Sequence, residues 1–339
     1  MDIEKLETLP PPPGVFGSLK AGFDIVSSRV ALILIPLALD VFLWLGPRLS
    51  VESLLLPFVT YLSETYIAQQ KLTGSSLELF MQNQEILLEK LQDFNLISLV
   101  SKSYWFPVGI QSLSAQSLPV TNPLGLDNVV TVSSVWVLLG AIAVLIPLGW
   151  IVGGVFFRQI SGSIQTEGEA GIGFLRSIFQ TVLLSVVAIL FLMALIIPLL
   201  FVFSFIYLFS PVIANVALLV ISFFSFWLIV PLFFTPHGIF IRKQNAFYSI
   251  LSSLKMIRFS LPTSGMFVLS VFILSRGLDQ LWRVPESGSW LALVGFAGHA
   301  FVTTALVTAS FVYYRDMNDW LQTVYERFQE INKKTSAMV

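Results

Sequence analysis

The hydrophobic positions of this chain fall in long unbroken runs. From Ser177 to Pro236, sixty consecutive residues include no Asp, Glu, Lys, Arg or His. A hydrocarbon core about 30 Å thick takes about 20 apolar residues per helical crossing. The run therefore predicts two crossings, about Ile178 to Leu208 and Val212 to Phe234, with Ser210-Pro211 as the turn. Four further runs predict four more spans: about Val30 to Leu45, Val129 to Phe157, Leu261 to Leu281 and Trp290 to Tyr314. In chain order they are spans one to six, and the long run supplies three and four.

Three other stretches carry apolar residues at helical spacing and polar residues elsewhere on the wheel. Residues 15–28 place Phe16, Leu19, Phe23 and Val26 on one side. Residues 165–179 do so with Ile172, Leu175, Ile178 and Phe179, and residues 243–258 with Phe247, Ile250, Leu251, Leu254 and Ile257. The pattern is that of a helix lying in the membrane interface. Each such stretch precedes two spans, which suggests a weak threefold repeat. An aliphatic-Pro-Leu signature recurs at Ile35-Pro36-Leu37, Ile146-Pro147-Leu148, Ile197-Pro198-Leu199 and Val230-Pro231-Leu232. Common use of proline in membrane helices explains that recurrence equally well.

Residues 48–128 break the pattern. They hold Glu52, Glu64, Glu78, Glu85, Glu89, Asp93 and Asp127 against Arg48, Lys71, Lys90 and Lys102. Two helical segments, Val51 to Gln70 and Ser75 to Val100, flank a Thr73-Gly74 turn, and a proline-marked loop follows. The predicted organisation is a disordered tail (1–14), an interfacial helix with span one (15–47), an extracytoplasmic helical insertion (48–128), spans two to six (129–314) and a cytoplasmic tail (315–339). The fold class is all-α, a polytopic six-span bundle. The insertion is too small for a strong core of its own, so it is expected to lean on the membrane surface or on a partner.

Composition agrees: 55% of the residues are hydrophobic and 12% are charged, against about 25% charged in soluble domains. With six spans both termini share a side. That side collects Lys5, Lys20, Arg29, Arg158, Arg176, Arg242, Lys243, Lys255, Arg258, Arg315, Arg327, Lys333 and Lys334. Arg48, Lys71, Lys90, Lys102, Arg276 and Arg283 fall on the other. Basic residues concentrate on the cytoplasmic side, so the expectation is a bacterial cytoplasmic membrane with both termini inside. A net charge of −1 gives no basic face for nucleic acid. Cysteine is absent, which removes disulfides and thiolate metal sites.

Candidate chemistry is sparse. Asp40 in span one and His299 in span six are ionisable groups within apolar runs, where such residues face the bundle and pair or act in ion pathways. Arg276 and Asp279 near the end of span five are helical neighbours, read as an ion pair or part of a substrate cluster. Arg242, Lys243, Lys255 and Arg258 are candidates for anionic lipid headgroups. Gly149 and Gly153 form a GxxxG, a mark of close helix packing. No HExxH, GxSxG or phosphate-binding loop occurs, and no catalytic residue, metal ligand or cofactor is expected. The expected partners are membrane lipids and another membrane protein or a second copy of the chain, not nucleic acid.

Residues 246–255, Ala-Phe-Tyr-Ser-Ile-Leu-Ser-Ser-Leu-Lys, with the two spans that follow and the closing Tyr313-Tyr314-Arg315-Asp316-Met317, resemble the membrane domain attached to some glycerophosphodiester phosphodiesterases. They are similar also to related six-span bacterial membrane proteins. The resemblance covers about residues 235–317 and implies a six-helix bundle with interfacial elbow helices. The phosphodiesterase chemistry of that family belongs to a separate soluble barrel. The expected role is a non-enzymatic scaffold or accessory subunit. The alternative is a transporter or permease component for a small solute or lipid, a proton-coupled one included, motivated by Asp40, His299 and the proline-broken helices.

The absence of cysteine makes the topology directly testable. Gln82→Cys creates a unique thiol in the insertion, and an impermeant maleimide should label it from outside intact cells. Labelling only after the membrane is opened would reverse the orientation.

Overall fold

Uncharged runs of this length can satisfy their backbone N–H and C=O groups in lipid only as helices. The computed structural model, which describes residues 11–70, 73–101, 107–115, 123–125, 128–165 and 171–336, is accordingly 82% helical. The helices are α1 (Val15–Ser28), α2 (Leu34–Leu45), α3 (Glu52–Gln70), α4 (Ser75–Asp93), α5 (Val135–Ile164), α6 (Phe174–Phe209), α7 (Pro211–Ile241), α8 (Ala246–Trp282) and α9 (Ala292–Ser336). Two three-residue strands, β1 (Arg48–Ser50) and β2 (Val129–Thr131), pair in parallel, and 3-10 turns cover Val30–Ile33 and Leu96–Val100.

Five helices, α5 to α9, are long and apolar enough to cross a membrane. The sixth candidate is a broken pair: α1 and the Val30–Leu45 segment pass together but meet at 97°. The chain is a multi-pass membrane bundle. Its burial runs opposite to its hydropathy. The most apolar helix, α6, buries none of its most apolar stretch, whereas α9, among the least apolar, buries 67% of its own. In water that ordering would be inverted. In lipid it is expected, because polar residues are the ones that need protein neighbours.

The central helix is α9, which packs against α1, α2, α5, α7 and α8. Its most extensive neighbour is α1, and a Cβ built on Gly22 of α1 would lie 2.5 Å from the Ala305 carbonyl oxygen and 2.6 Å from Ala309 Cβ. Leu19 and Val26 are buried in that contact, while Phe16 is 86% exposed. The predicted interfacial helix is therefore docked along α9 through most of its apolar stripe. Residues 246–259 also behave as an elbow. A non-helical Ser260 (φ −125°, ψ 16°), two residues before Pro262, separates them from the span that follows. The second predicted elbow differs: Phe174 to Phe209 is one continuous helix, so the amphipathic segment there is the first turns of span three. Only units one and three of the expected repeat thus show an elbow distinct from its span.

The insertion divides into two parts. Helices α3 and α4 form a hairpin that touches the bundle little. Residues 94–101 and 107–115 belong to the bundle instead. Leu96, Ile97, Val100, Val108, Ile110 and Leu113 are buried. The two Gly of the GxxxG face these segments and not a neighbouring helix. Gly149 meets the Val100 carbonyl, and a Cβ on Gly153 would lie 2.7 Å from Gly109 Cα. Gly153 is about 27 Å along α5 from Val135 at about 1.5 Å per residue. An irregular strand of backbone therefore runs deep among the helices, tolerable at that depth only when protein covers it. Asn95 ties this part to β1 by accepting from the backbone N–H groups of Leu49 (3.0 Å) and Ile97 (3.1 Å).

Two of the bases that set the charge bias also cap a helix. Arg29 donates to the Ser163 carbonyl and Arg315 to the Ile164 carbonyl, each at 3.0 Å. Both carbonyls lie at the C-terminus of α5, where cations are favourable. The predicted tail beyond Arg315 continues α9 to Ser336. The readings made on residues 1–10, on Lys71 and Lys102, on 116–122, on Asp127 and on 166–170 lie outside the described residues.

Close packing of α1 on α9 sets a test. Gly22→Ala should lower stability by about 1–3 kcal/mol through overpacking, read as the thermal midpoint in detergent. Gly17→Ala, where no atom lies within 4 Å of the new Cβ, should leave that midpoint within the error.

Candidate functional site

One face of α9 is polar although it is buried. His299, Thr303, Thr304, Thr308, Ser310 and Asn318 all lie inside. Threonine can return its hydroxyl to its own helix: Thr303 donates to the His299 carbonyl (2.7 Å) and Thr308 to the Thr304 carbonyl (2.8 Å). A histidine ring has no such exit and must find partners on other helices.

It finds two carboxylates. His299 Nδ1 is 3.4 Å from Asp40 Oδ2 on α2, and His299 Nε2 is 3.4 Å from Asp279 Oδ1 on α8. Asp40 and His299 are fully buried, and Asp279 is 4% exposed. At 3.4 Å these are close electrostatic contacts, outside the geometry of good hydrogen bonds. Small residues on α9 let α8 come near. Its Gly295 faces the Trp282 carbonyl and Gly298 the Trp282 ring. The other oxygen of Asp40 is fully engaged: Oδ1 accepts from the Ser112 hydroxyl (2.5 Å) and the Ser114 backbone N–H (3.0 Å). The Ser114 hydroxyl in turn donates to the Asp40 carbonyl (3.0 Å). One cluster thus joins α2, α8, α9 and the inserted segment 107–115.

Sequence placed Asp40, His299 and Asp279 as separate candidates, and the structure brings them together. Asp279 turns across the helix interface to His299. The Arg276 guanidinium lies 5.7 Å over the Phe272 ring. Ser112 and Ser114 were missed, because two serines in a proline-marked loop carry no sign of depth. The usable signal was arithmetic: three ionisable residues in apolar spans must either pair or remain neutral.

A second polar layer lies nearer the far end of α9. His237 Nε2 and Ser310 Oγ are 2.7 Å apart, Ser252 Oγ and Tyr314 Oη 3.0 Å, and Ser264 Oγ and Tyr313 Oη 3.1 Å. Ser249 donates to the Thr235 carbonyl. These bonds lace α7 and α8 to one another and to α9. They also join the two halves of the stretch carrying the family resemblance, since Ser249 and Ser252 belong to one half and Tyr313 and Tyr314 to the other. The opposite face of the same elbow helix is open. Phe247, Tyr248, Leu251, Leu254 and Phe259 are exposed beside Arg242, Lys243, Lys255 and Arg258. An apolar face edged by bases suits the interface with anionic headgroups.

A cavity of about 20 Å³ is lined by Pro36, Gly109, Ile110, Gln111, Phe156, Thr303 and Val307, enough for about one water. Among the described residues no group of three His, Cys, Asp or Glu converges as metal ligands. In the Asp–His–Asp cluster the carboxylates sit on opposite ring nitrogens, so they share no point a cation could occupy.

Removing Asp40 should be costly. Asp40→Ala leaves the Ser112 and Ser114 donors buried without their acceptor, a loss of about 1–3 kcal/mol for each. Asp40→Asn keeps an accepting oxygen and should lose clearly less. Unfolding in mixed detergent micelles ranks the two. No family model, curated protein or solved structure matches the chain, so the resemblance of residues 235–317 stands on their motif alone.

Proposed function

We propose that the chain is a non-enzymatic scaffold or accessory subunit of a complex in a bacterial cytoplasmic membrane, with both termini cytoplasmic and the α3–α4 hairpin outside. The carrying observation is that hairpin. Its helices meet through one stripe, in which Leu77, Phe80, Leu88 and Leu91 are half-buried and Tyr66 stacks on Phe80 at 5.1 Å. Phe58, Tyr61, Leu62, Tyr66, Leu79, Ile86 and Leu87 remain exposed. No residue of α4 is buried at all. Exposed apolar residues in this number mark an interaction site in soluble surroundings.

Transport is the second reading and rests on the buried Asp40–His299–Asp279 cluster, because intramembrane carboxylates and histidines serve proton relays.

Gentle extraction of the tagged protein should yield a complex larger than the lone chain. Replacing residues 52–93 by a short Gly-Ser linker should abolish that complex while the bundle keeps its thermal midpoint. A lone monomer from the unaltered protein would overturn the scaffold reading. So would a complex that survives loss of the hairpin. Transport in liposomes that disappears in both Asp40→Asn and His299→Gln would favour the second reading.

A further inference from the structure

We propose that the corner where α6, α7 and α8 meet binds the headgroup of an anionic phospholipid. Arg176, Arg242 and Lys243 hold the headgroup, and the acyl chains lie along the apolar strip of the elbow helix, residues 246–259. The site is independent of the scaffold reading and of which leaflet the elbow occupies.

Two helices bring the cations together. Helix α7 ends at Ile241, and Arg242 and Lys243 follow it directly. Arg176, in the first turn of α6, donates from Nη2 to the Lys243 carbonyl at 2.8 Å. Gln180, one turn further along α6, accepts from the Ala246 N–H at 2.7 Å, so the same helix is fastened to the start of α8. All three bases are exposed, and among the described residues no carboxylate lies within 4 Å of any of them. Downstream of Arg176 the first acid in the chain is Asp279. Glu167 and Glu169, upstream, lie outside the described residues.

Lys243 has a backbone to match. Its φ is +53°, and among the described residues it is the only non-glycine residue with a positive φ. It stands just past the C-cap of α7, where the Gln244 N–H closes back onto the Gly238 carbonyl at 3.1 Å. Glycine is the usual residue at this position, because an L side chain in the left-handed conformation is strained. The chain keeps a lysine there, so strain is retained at the place where a charge is added. Retained strain of this kind points to function.

The elbow supplies the apolar half. Successive residues turn by about 100° around a helix. Leu254, Phe247 and Leu251 therefore share one flank of the exposed arc, and Lys255 and Tyr248 lie further round it. The opposite arc, with Ser249, Ser253 and Met256, is buried in the bundle. Arg258 shares the apolar flank at the kinked end, its guanidinium 5.9 Å over the Phe259 ring. Apolar residues on one flank and a base on the other suit a helix at the boundary of acyl chains and headgroups, and arginine and lysine reach the headgroup level on apolar stems. A free phosphate would use the bases alone. A phospholipid uses the bases and the strip together.

Retention of radiolabelled phosphatidylglycerol by the tagged full chain in mixed micelles tests this, with phosphatidylcholine of the same acyl chains as the comparison. Phosphatidylglycerol should bind several-fold more tightly. A base beside an anionic headgroup is worth about fivefold in affinity. Lys243→Gly should therefore weaken phosphatidylglycerol about fivefold and leave phosphatidylcholine unchanged. The same variant should raise the thermal midpoint in lipid-free detergent, because it removes strain along with the charge. Equal retention of the two lipids by the wild type overturns the proposal. So does a Lys243→Gly variant that retains phosphatidylglycerol like the wild type, or that loses both lipids alike. A lowered midpoint overturns the reading of Lys243 as a strained residue kept for its charge. Inorganic phosphate, added at matched ionic strength, should displace no phosphatidylglycerol. Displacement would assign the corner to a soluble anion and overturn the lipid site.

Discussion

Hydrocarbon offers no hydrogen bonds, and that single deficit arranges this molecule. Asp40, Asp279 and His299 are turned inward, while exposed Ser204 and Ser225 return their hydroxyls to their own helices, so α9, among the least apolar spans, becomes the core and the most apolar, α6, becomes the wall. The sequence of α9 would mark it as a weak span by hydropathy, yet it is the helix the others surround. Serine and threonine make this workable, because each can bond to its own helix and still bridge to a neighbour. Ser260 illustrates the double use: it donates to the Met256 carbonyl at 2.8 Å, and its oxygen lies 2.9 Å from Ser264 Oγ, which reaches Tyr313. The core is held by such short polar reaches as well as by apolar contact.

The same deficit explains the glycines. Backbone that is not helical can enter a bundle only where its neighbours come close enough to shield it. Gly149 and Gly153 provide that approach for residues 100 and 109, and Ser112 and Ser114 spend their polarity on Asp40. Asp40 therefore answers two needs at once. It supplies acceptors to an irregular segment that has no ladder of its own, and it gives the His299 ring a polar neighbour at 3.4 Å. An apolar residue there would meet neither need.

The spans were legible because their signal is composition over about twenty residues, which tertiary contacts cannot hide. Five of the six predicted spans overlap α5 to α9, the second displaced from Val129–Phe157 to Val135–Ile164, and the first, Val30–Leu45, passes only together with α1 across a 97° bend. The hairpin was legible from the Thr73-Gly74 turn and the helical period of Leu77, Phe80, Met81, Leu87, Leu88 and Leu91, although Met81 and Leu87 are exposed. What escaped was depth. The amphipathic pattern at 165–179 looks the same whether it bends at a span or runs straight into it, and the choice depends on packing at its ends. The run Val108 to Ser114 is short, alternating and flanked by prolines, so it reads as surface loop. Its burial comes from Gly153 and Asp40, which are distant in sequence. The pairing of Asp279 with His299 was likewise hidden, since Arg276 offered a local partner at the right helical spacing.

Two helical hairpins stand clear of the bundle, and chemistry separates their surroundings. In the first, residues 186–225 of α6 and α7 are exposed or half-exposed apart from Ala214, and they carry no charge. Lipid alone covers such a surface at no cost. The second, α3–α4, exposes a comparable set of aromatic and aliphatic side chains but carries Glu52, Glu64, Glu78, Glu85, Glu89 and Asp93 among them. Those acids forbid the hydrocarbon, and the apolar stripes are unfavourable in water. Neither solvent suits the whole surface. A protein face with apolar pockets and compensating bases does suit it, and the short pairing of β1 with β2 holds the two ends of the insertion together so that the hairpin is presented from a fixed base.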